Sequence, residues 1–261
     1  MAVDVVREAR AEGGFVARIT IDRAAKLNAL DRALMAEIID AMTPLADDPA
    51  LRLAVVSGAG GRAFIGGADV DELAALDADS ARGFITAVHV CCDAFRHLPV
   101  PSIARIDGYA LGAGLELAAA CDFRIASDRS VFGMPEVRIG LPSVVEAALL
   151  PGLIGPARTR QLLLTGDNIH ADEALAWGLV DRVVPAAQLD EAVEVLAASI
   201  LAAGPQAVRL QKSLILDWEE MHTAAAVDRG IDGFVEAFAT DEPRRMTNAA
   251  RAAMRARRKT G

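Results

Sequence analysis

Residues 108–122 read GYALGAGLELAAACD, a run in which one carboxylate, Glu116, stands among apolar and small residues. A helix this apolar has no face to give to water, so the fold must bury it. Burying an unpaired charge costs several kcal/mol, on the order of the values for desolvated ions. The run opens on Gly112-Ala113-Gly114, and Glu116 follows Ala113 by three residues, one turn along the same face. A helix N-terminus presents unpaired N–H groups and partial positive charge, a setting suited to an oxygen that becomes negative during reaction. Two explanations of Glu116 stand side by side here. It either caps the helix electrostatically or is a carboxylate aimed at whatever the N–H groups bind.

The rest of the chain supplies layers to bury that helix. Phe15–Ile21 alternates like a strand, and Leu51–Val56 reads as a strand that becomes fully buried. Asp31–Ala46 is predicted helical, with Asp31 as N-cap and Leu34, Ile38, Met42 and Leu45 on one face. Helices are predicted at Asp69–Leu76, Arg82–His97 and Leu115–Cys121, an extended segment at Ser102–Ala110, and a short strand at Phe123–Ala126. Strands alternating with helices over residues 1–190 indicate an α/β layered core; residues 191–261 read as a helical region. Of the 261 residues, 53% are hydrophobic but only 4% aromatic, so Ala, Leu and Val must do most of the packing.

Composition also narrows function. A net charge of −9 argues against a whole-protein role on nucleic acid. No apolar run is long enough to span a bilayer, and the charged N-terminus lacks a signal peptide's apolar stretch. Cys91, Cys92 and Cys121 form no C-x-x-C pair and are expected to be reduced, buried thiols of a cytoplasmic protein. The histidines at 89, 97, 170 and 222 lack metal-ligand spacing and read as structural; no metal site is expected. The final segment carries Arg244, Arg245, Arg251, Arg255, Arg257, Arg258 and Lys259, either a solvated helical face or an anion-binding or subunit-contact helix.

Two further loops are candidates for chemistry. GRAFIGGAD at 61–69 follows a strand and precedes a helix, and its paired glycines let backbone N–H groups approach a ligand. FGMPE at 132–136 places a second carboxylate, Glu136, after a Pro that restrains the backbone. Alone, the first is compatible with an ordinary turn and the second with a solvated loop.

Together and in order, these motifs resemble the crotonase (enoyl-CoA hydratase/isomerase) superfamily over nearly the whole chain. RAAKLNALD resembles its opening motif, GRAFIGGADVDEL and DGYALGAGLELAAACDFRIA its two oxyanion-hole loops, and FGMPEVRIG, TGDNIHADEALAWGLVDRVVP and FATDE follow in the family's sequence. The resemblance implies a spiral of ββα turns with C-terminal helices that mediate trimer formation, so a homotrimer or a dimer of trimers is expected. It implies an enzyme of acyl-CoA and fatty acid metabolism that binds an acyl-CoA thioester and needs no cofactor beyond the CoA of its substrate. By motif position, Gly66 and Ala113 are the expected oxyanion donors and Glu116 and Glu136 the catalytic pair of a hydratase, one handling water and the other the α-proton. Lys26, Leu27, Ala29, Gly67, Ala68, Asp69, Val70 and Gly112 are expected to flank CoA or substrate, with Lys26 near a CoA phosphate.

One segment departs from the family pattern. Where common hydratases continue with a Gly-rich run, this chain reads GLPSVVEAALLPGLIG, placing Glu146 near the expected acyl pocket. An ordinary helix partner or a contact to substrate or water are the two readings of Glu146. The expected activity is hydration of a trans-2-enoyl-CoA. The alternatives are a thioester hydrolase or enoyl-CoA isomerase of the same fold, or a non-catalytic CoA- or RNA-binding relative.

Overall fold

The computed structural model describes residues 1–260, with side chains through residue 256. Two compact units divide the chain, Met1–Ala197 and the remainder from Ala198.

In the first unit the chain runs β1 (Val3–Ala9), β2 (Phe15–Ile21), α1 (Arg32–Ala46), β3 (Leu51–Gly58), β4 (Ala63–Ile65), α2 (Val70–Ala74) and α3 (Ala78–Arg96). It continues through β5 (Ser102–Ile106), β6 (Tyr109–Leu111), α4 (Ala113–Ala120), β7 (Phe123–Ser127), β8 (Val131–Gly133), α5 (Leu150–Thr165), β9 (Ile169–His170), α6 (Ala171–Trp177) and β10 (Arg182–Val184), and α7 (Leu189–Leu201) runs across the division at Ala197. Asp31 caps α1 as its sequence predicts, accepting from the Leu34 N–H at 2.8 Å.

From β3 to β8, consecutive strands go to different sheets. The six-stranded sheet has the order β1-β2-β3-β5-β7-β10 and the four-stranded sheet the order β4-β6-β8-β9. The pairs β3/β4, β5/β6 and β7/β8 therefore each add one strand to each sheet, and a helix follows before the next pair. This is the crotonase-like spiral of ββα turns. β3, β5 and β7 pair in parallel, as do β4, β6 and β8. Parallel neighbours end side by side, about 4.8 Å apart. The loops that leave β4, β6 and β8 consequently meet at one edge of the smaller sheet.

All eight residues of α4 are buried, including Glu116. Its C-terminal carbonyls are satisfied from inside by Arg124, whose Nη1 donates to Cys121 O at 2.6 Å and Ala118 O at 3.4 Å. A cation at that end and a carboxylate at the other both suit the helix dipole. Cys91, Cys92 and Cys121 are buried, and no disulfide joins them among the described residues.

The second unit is helical: α8 (Pro205–Glu219), α9 (Thr223–Ala237) and α10 (Glu242–Thr260). Glu242 opens α10 and accepts from the Gln206 and Ala207 N–H groups at the start of α8. Arg244, Arg245, Arg251 and Arg255 are exposed along α10, whereas the side chains of Arg257, Arg258 and Lys259 lie outside the described residues. Among the described residues, no single helix is long and apolar enough to cross a membrane.

Candidate active site

The loop after β4 is built by pairing with the segment before α1. Gly66 N–H donates to Leu27 O, Leu30 N–H to Gly67 O, and Asp69 N–H to Leu30 O, each at 2.8 Å. Asn28, fully buried, ties this pairing to β4: its Nδ2 donates to Ala63 O at 2.9 Å and its Oδ1 accepts from the Arg23 N–H. The expectation that Gly66 supplies an oxyanion donor is therefore corrected, because its N–H is already bonded to Leu27. Among the described residues, the N–H groups of Gly67 and Ala68 have no protein acceptor. Ala68 forms the bridge position opposite Leu30, flanked by the two bonds that reach Leu30. Peptide groups alternate in direction along an extended chain, so the Ala68 N–H faces away from Leu30.

Asp69 and Lys26 have partners of their own. Asp69 is buried, caps α2 by accepting from the Asp71 and Glu72 N–H groups, and bonds Arg23 Nη1 at 2.7 Å. The Arg23 bond leads in holding its carboxyl below the usual range. Lys26 Nζ donates to Asp71 Oδ2 at 2.5 Å and lies 3.6 Å from Asp69, half-exposed at the rim of the loop. Leu27 and Ala29 are half-buried, and Val70 is exposed.

The loop after β6 is a single residue, Gly112, which adopts φ 50° and ψ −123° before α4 begins at Ala113. A Cβ at Gly112 would come within 2.2 Å of Glu136 Oε1 and 3.9 Å of Gly67 Cα. Gly112 thus lets the three loops converge, since a Cβ there would push the Glu136 carboxylate from its place. Its own N–H donates to Gly133 O at 2.9 Å, linking the loop to the end of β8. The Ala113 N–H, first in the helix, has no protein acceptor among the described residues. Asp107, at the β5–β6 turn, braces this region through Arg129 at 2.6 and 2.8 Å and Ser127 at 2.8 Å.

The loop after β8 enters a 3-10 turn at Pro135–Ile139, where Glu136 sits in the first turn. Ser143 Oγ donates to Glu136 Oε2 at 2.7 Å and orients the carboxylate. Glu116 Oε1 accepts from the Ala147 N–H at 3.3 Å. The structure brings Glu116 and Glu136 close enough for their charges to interact across 20 residues of sequence. Glu116 is pushed up to about 8, first by burial and then by the charge of Glu136, with the Ala147 N–H acting in the opposite direction. At about 8, the Glu116 carboxyl keeps its proton near neutral pH, held there by burial and by the charge of the neighbouring Glu136.

Glu146, in the 3-10 turn Val145–Leu149, is buried and bonds His89 Nδ1 on α3 at 2.6 Å. No motif flagged His89, which lies 57 residues away in sequence. Among the described residues, no group of three His, Cys, Asp or Glu side chains is arranged to hold a metal ion.

The raised pKa of Glu116 has a consequence for stability. Between its ordinary value of 4.5 and about 8 the folded chain binds the proton that the unfolded chain releases. That contribution is complete below 4.5 and lost as pH rises through about 8. Urea unfolding from pH 5 to 9 is expected to show wild type losing on the order of a few kcal/mol relative to Glu116→Gln. Parallel pH courses for the two proteins would remove the proton from Glu116.

The profile of the enoyl-CoA hydratase/isomerase family matches residues 11–253. The chain is 39% identical to a crotonyl-CoA hydratase of Syntrophomonas wolfei, over 87% of this chain and 88% of that one. It is 34% identical to a short-chain-enoyl-CoA hydratase of Clostridium acetobutylicum, over 88% of each chain. Among solved structures, an enoyl-CoA hydratase from Bacillus anthracis superposes with a TM-score of 0.91 at 30% identity, covering 97% of both chains.

Proposed function

The chain belongs to the enoyl-CoA hydratase/isomerase family, and from that premise we infer which of its groups carry the reaction. The protein is an enoyl-CoA hydratase, a hydro-lyase that adds water across the 2,3 double bond of an enoyl-CoA thioester. Hydration places a hydroxyl on C3 and a proton on C2, with negative charge developing on the thioester oxygen. The N–H groups of Ala68 and Ala113 receive that oxygen. Preorganised donors of this kind contribute roughly 3–4 kcal/mol each.

The Glu116–Glu136 pair enters the cycle holding one proton. Water bound between them gives its oxygen to C3 and a proton to the ionised carboxylate, while the protonated carboxyl gives its proton to C2. The pair ends the turnover with one proton again, so no further acid or base is required. The observation that carries this reading is the convergence of both carboxylates on the edge where the Ala68 and Ala113 N–H groups remain available. Adding crotonyl-CoA should abolish the conjugated enone absorbance without releasing free thiol. Thiol release would instead assign thioester hydrolysis, and CoA binding with neither signal would assign a binding protein.

The CoA portion is flanked in this reading by backbone groups of Lys26, Leu27, Ala29, Gly67, Ala68, Asp69, Val70 and Gly112. No cofactor beyond the substrate's CoA enters the scheme, and a cytoplasmic location goes with it. Assembly as a homotrimer or dimer of trimers is supported by α9, where Val227, Ile231, Phe234 and Val235 are exposed at helical spacing, continued by the exposed C-cap residue Phe238. Apolar stripes of this kind mark protein contact surfaces. Light scattering is expected to give a multiple of three times the 27.4 kDa chain mass, and Phe234→Asp to lower it. A fully active wild-type monomer would contradict the assembly.

A further inference from the structure

The carboxylate left out of the reaction scheme is Glu146, and its surroundings are unusual. Its side chain is 6% exposed, yet its partner His89 is 51% exposed. Oε1 makes the 2.6 Å bond to His89 Nδ1, while Oε2 is buried and has no hydrogen-bond partner among the described residues. A carboxylate oxygen enclosed without a donor is costly, and native proteins hold few such groups outside functional regions. The backbone beside it is also held in an uncommon state: Val145 has φ 42°, the left-handed region that a β-branched residue rarely occupies. Such a conformation persists only where its surroundings over-determine it. The residue immediately after Glu146 is Ala147; its N–H is shared between Val144 O at 2.9 Å, within the turn, and Glu116 Oε1 at 3.3 Å, and among the described residues it is the sole protein donor to Glu116.

We propose that Glu146, anchored by His89, is a positioning residue for Glu116: the buried pair pins the Val145–Leu149 turn to α3 and so fixes the Ala147 N–H against the catalytic carboxyl. The anchor joins two elements distant in sequence, α3 and the turn, on the side of α4 that carries Glu116. It acts through geometry and through charge. The Ala147 bond restricts where the Glu116 carboxyl sits, and the neighbouring Glu146 charge favours retention of the Glu116 proton. The groups that face this cluster are His89, Cys91 and Cys92 from α3, Glu116 from α4, and Glu136 beyond it. Burial, the leading cause, pushes the Cys91 thiol up to about 12 and Cys92 well above its ordinary value, so both are neutral near pH 7 and neither substitutes for His89 as the anchor.

This inference rests on the hydratase reading for its kinetic test but not for its spectroscopic one. Glu146→Ala is expected to lower kcat for crotonyl-CoA by about 10²-fold, the scale for misplacing a catalytic group by about 1 Å, with KM nearly unchanged. In a Glu116→Gln background the same substitution should cost less than about threefold, because the group being positioned is already gone. His89→Phe should follow the same pattern. An equal loss in both backgrounds would assign Glu146 a purely structural role and overturn the proposal, as would no loss in either.

His89→Phe removes the anchor while keeping Glu146, so it serves if the alanine variant does not fold. In 13C-glutamate NMR titrations the Glu116 carboxyl, assigned from its absence in Glu116→Gln, should titrate at higher pH in His89→Phe than in wild type, because the Ala147 bond that favours its ionised form is loosened. An unchanged titration would overturn the proposal. Should wild type hydrate no enoyl-CoA, the hydratase reading fails, and the titration still decides the inference.

Discussion

Glu116→Gln and Glu136→Gln are each expected to cut turnover of crotonyl-CoA by about 10²–10⁴-fold, the usual contribution of a general acid or base. Glutamine retains the shape of each side chain but neither accepts nor returns a proton. The double variant should lose far less than the product of the single losses, since the two carboxyls exchange one proton in one step. KM should move little, because the thioester is held by backbone donors and CoA contacts rather than by the carboxyls. Steady-state kinetics on the four proteins checks this. If Glu116→Gln alone were near wild type, Glu116 would revert to an electrostatic cap on α4.

Ala113→Pro is expected to lower kcat by about 10²–10³-fold, the loss measured when one oxyanion-hole donor is removed. The substitution is informative because Ala113 is the first residue of α4. Proline is well tolerated at that position, since the missing N–H has no place in the helix ladder and the fixed φ suits a helix. The variant should therefore fold, as circular dichroism and thermal unfolding would show, while losing the donor. Ala113→Gly keeps the N–H and should keep much of the activity. Near-wild-type turnover by folded Ala113→Pro would remove Ala113 from the oxyanion hole.

Much of this architecture is legible in local patterns, and the failures have a common cause. Phe15–Ile21 and the capped helix from Arg32 are written in residues that contact one another along a single element. β1 escapes the pattern because its exposed edge carries Asp4, Arg7 and Glu8 between its apolar positions. The extended segment Ser102–Ala110 is in fact two strands in different sheets. Gly108, at φ 78°, makes the break, and a Cβ there would meet Arg62 O at 2.1 Å. The helix at 113–120 begins two residues before the predicted Leu115, so the Ala113 N–H lies at its first turn.

Site residues divide in the same way. Glu116 and Glu136 stand out through motif order, and Ala113 through its place ahead of an apolar helix. Which amide of GRAFIGGAD remains available is set by pairing with Leu27–Leu30, about forty residues earlier, and that pairing takes Gly66 and leaves Ala68. The His89–Glu146 contact spans 57 residues and joins a helix to a turn that carries no repeat or motif linking it to α3. Asn28 is equally silent in sequence: one amide among LNALD, it organises a loop by bonding carbonyls more than thirty residues away.

The central claim is that this site adds water to C3 of an enoyl thioester and leaves the thioester intact. Turnover of crotonyl-CoA in 18O-enriched water, followed by mass spectrometry of the acyl-CoA product, tests it most directly. The account predicts one 18O atom in the 3-hydroxyl of an acyl group still joined to CoA, with the label lost when both Glu116 and Glu136 are replaced by glutamine. Label recovered in a free carboxylate alongside CoA thiol, with the 2,3 double bond retained, would contradict it.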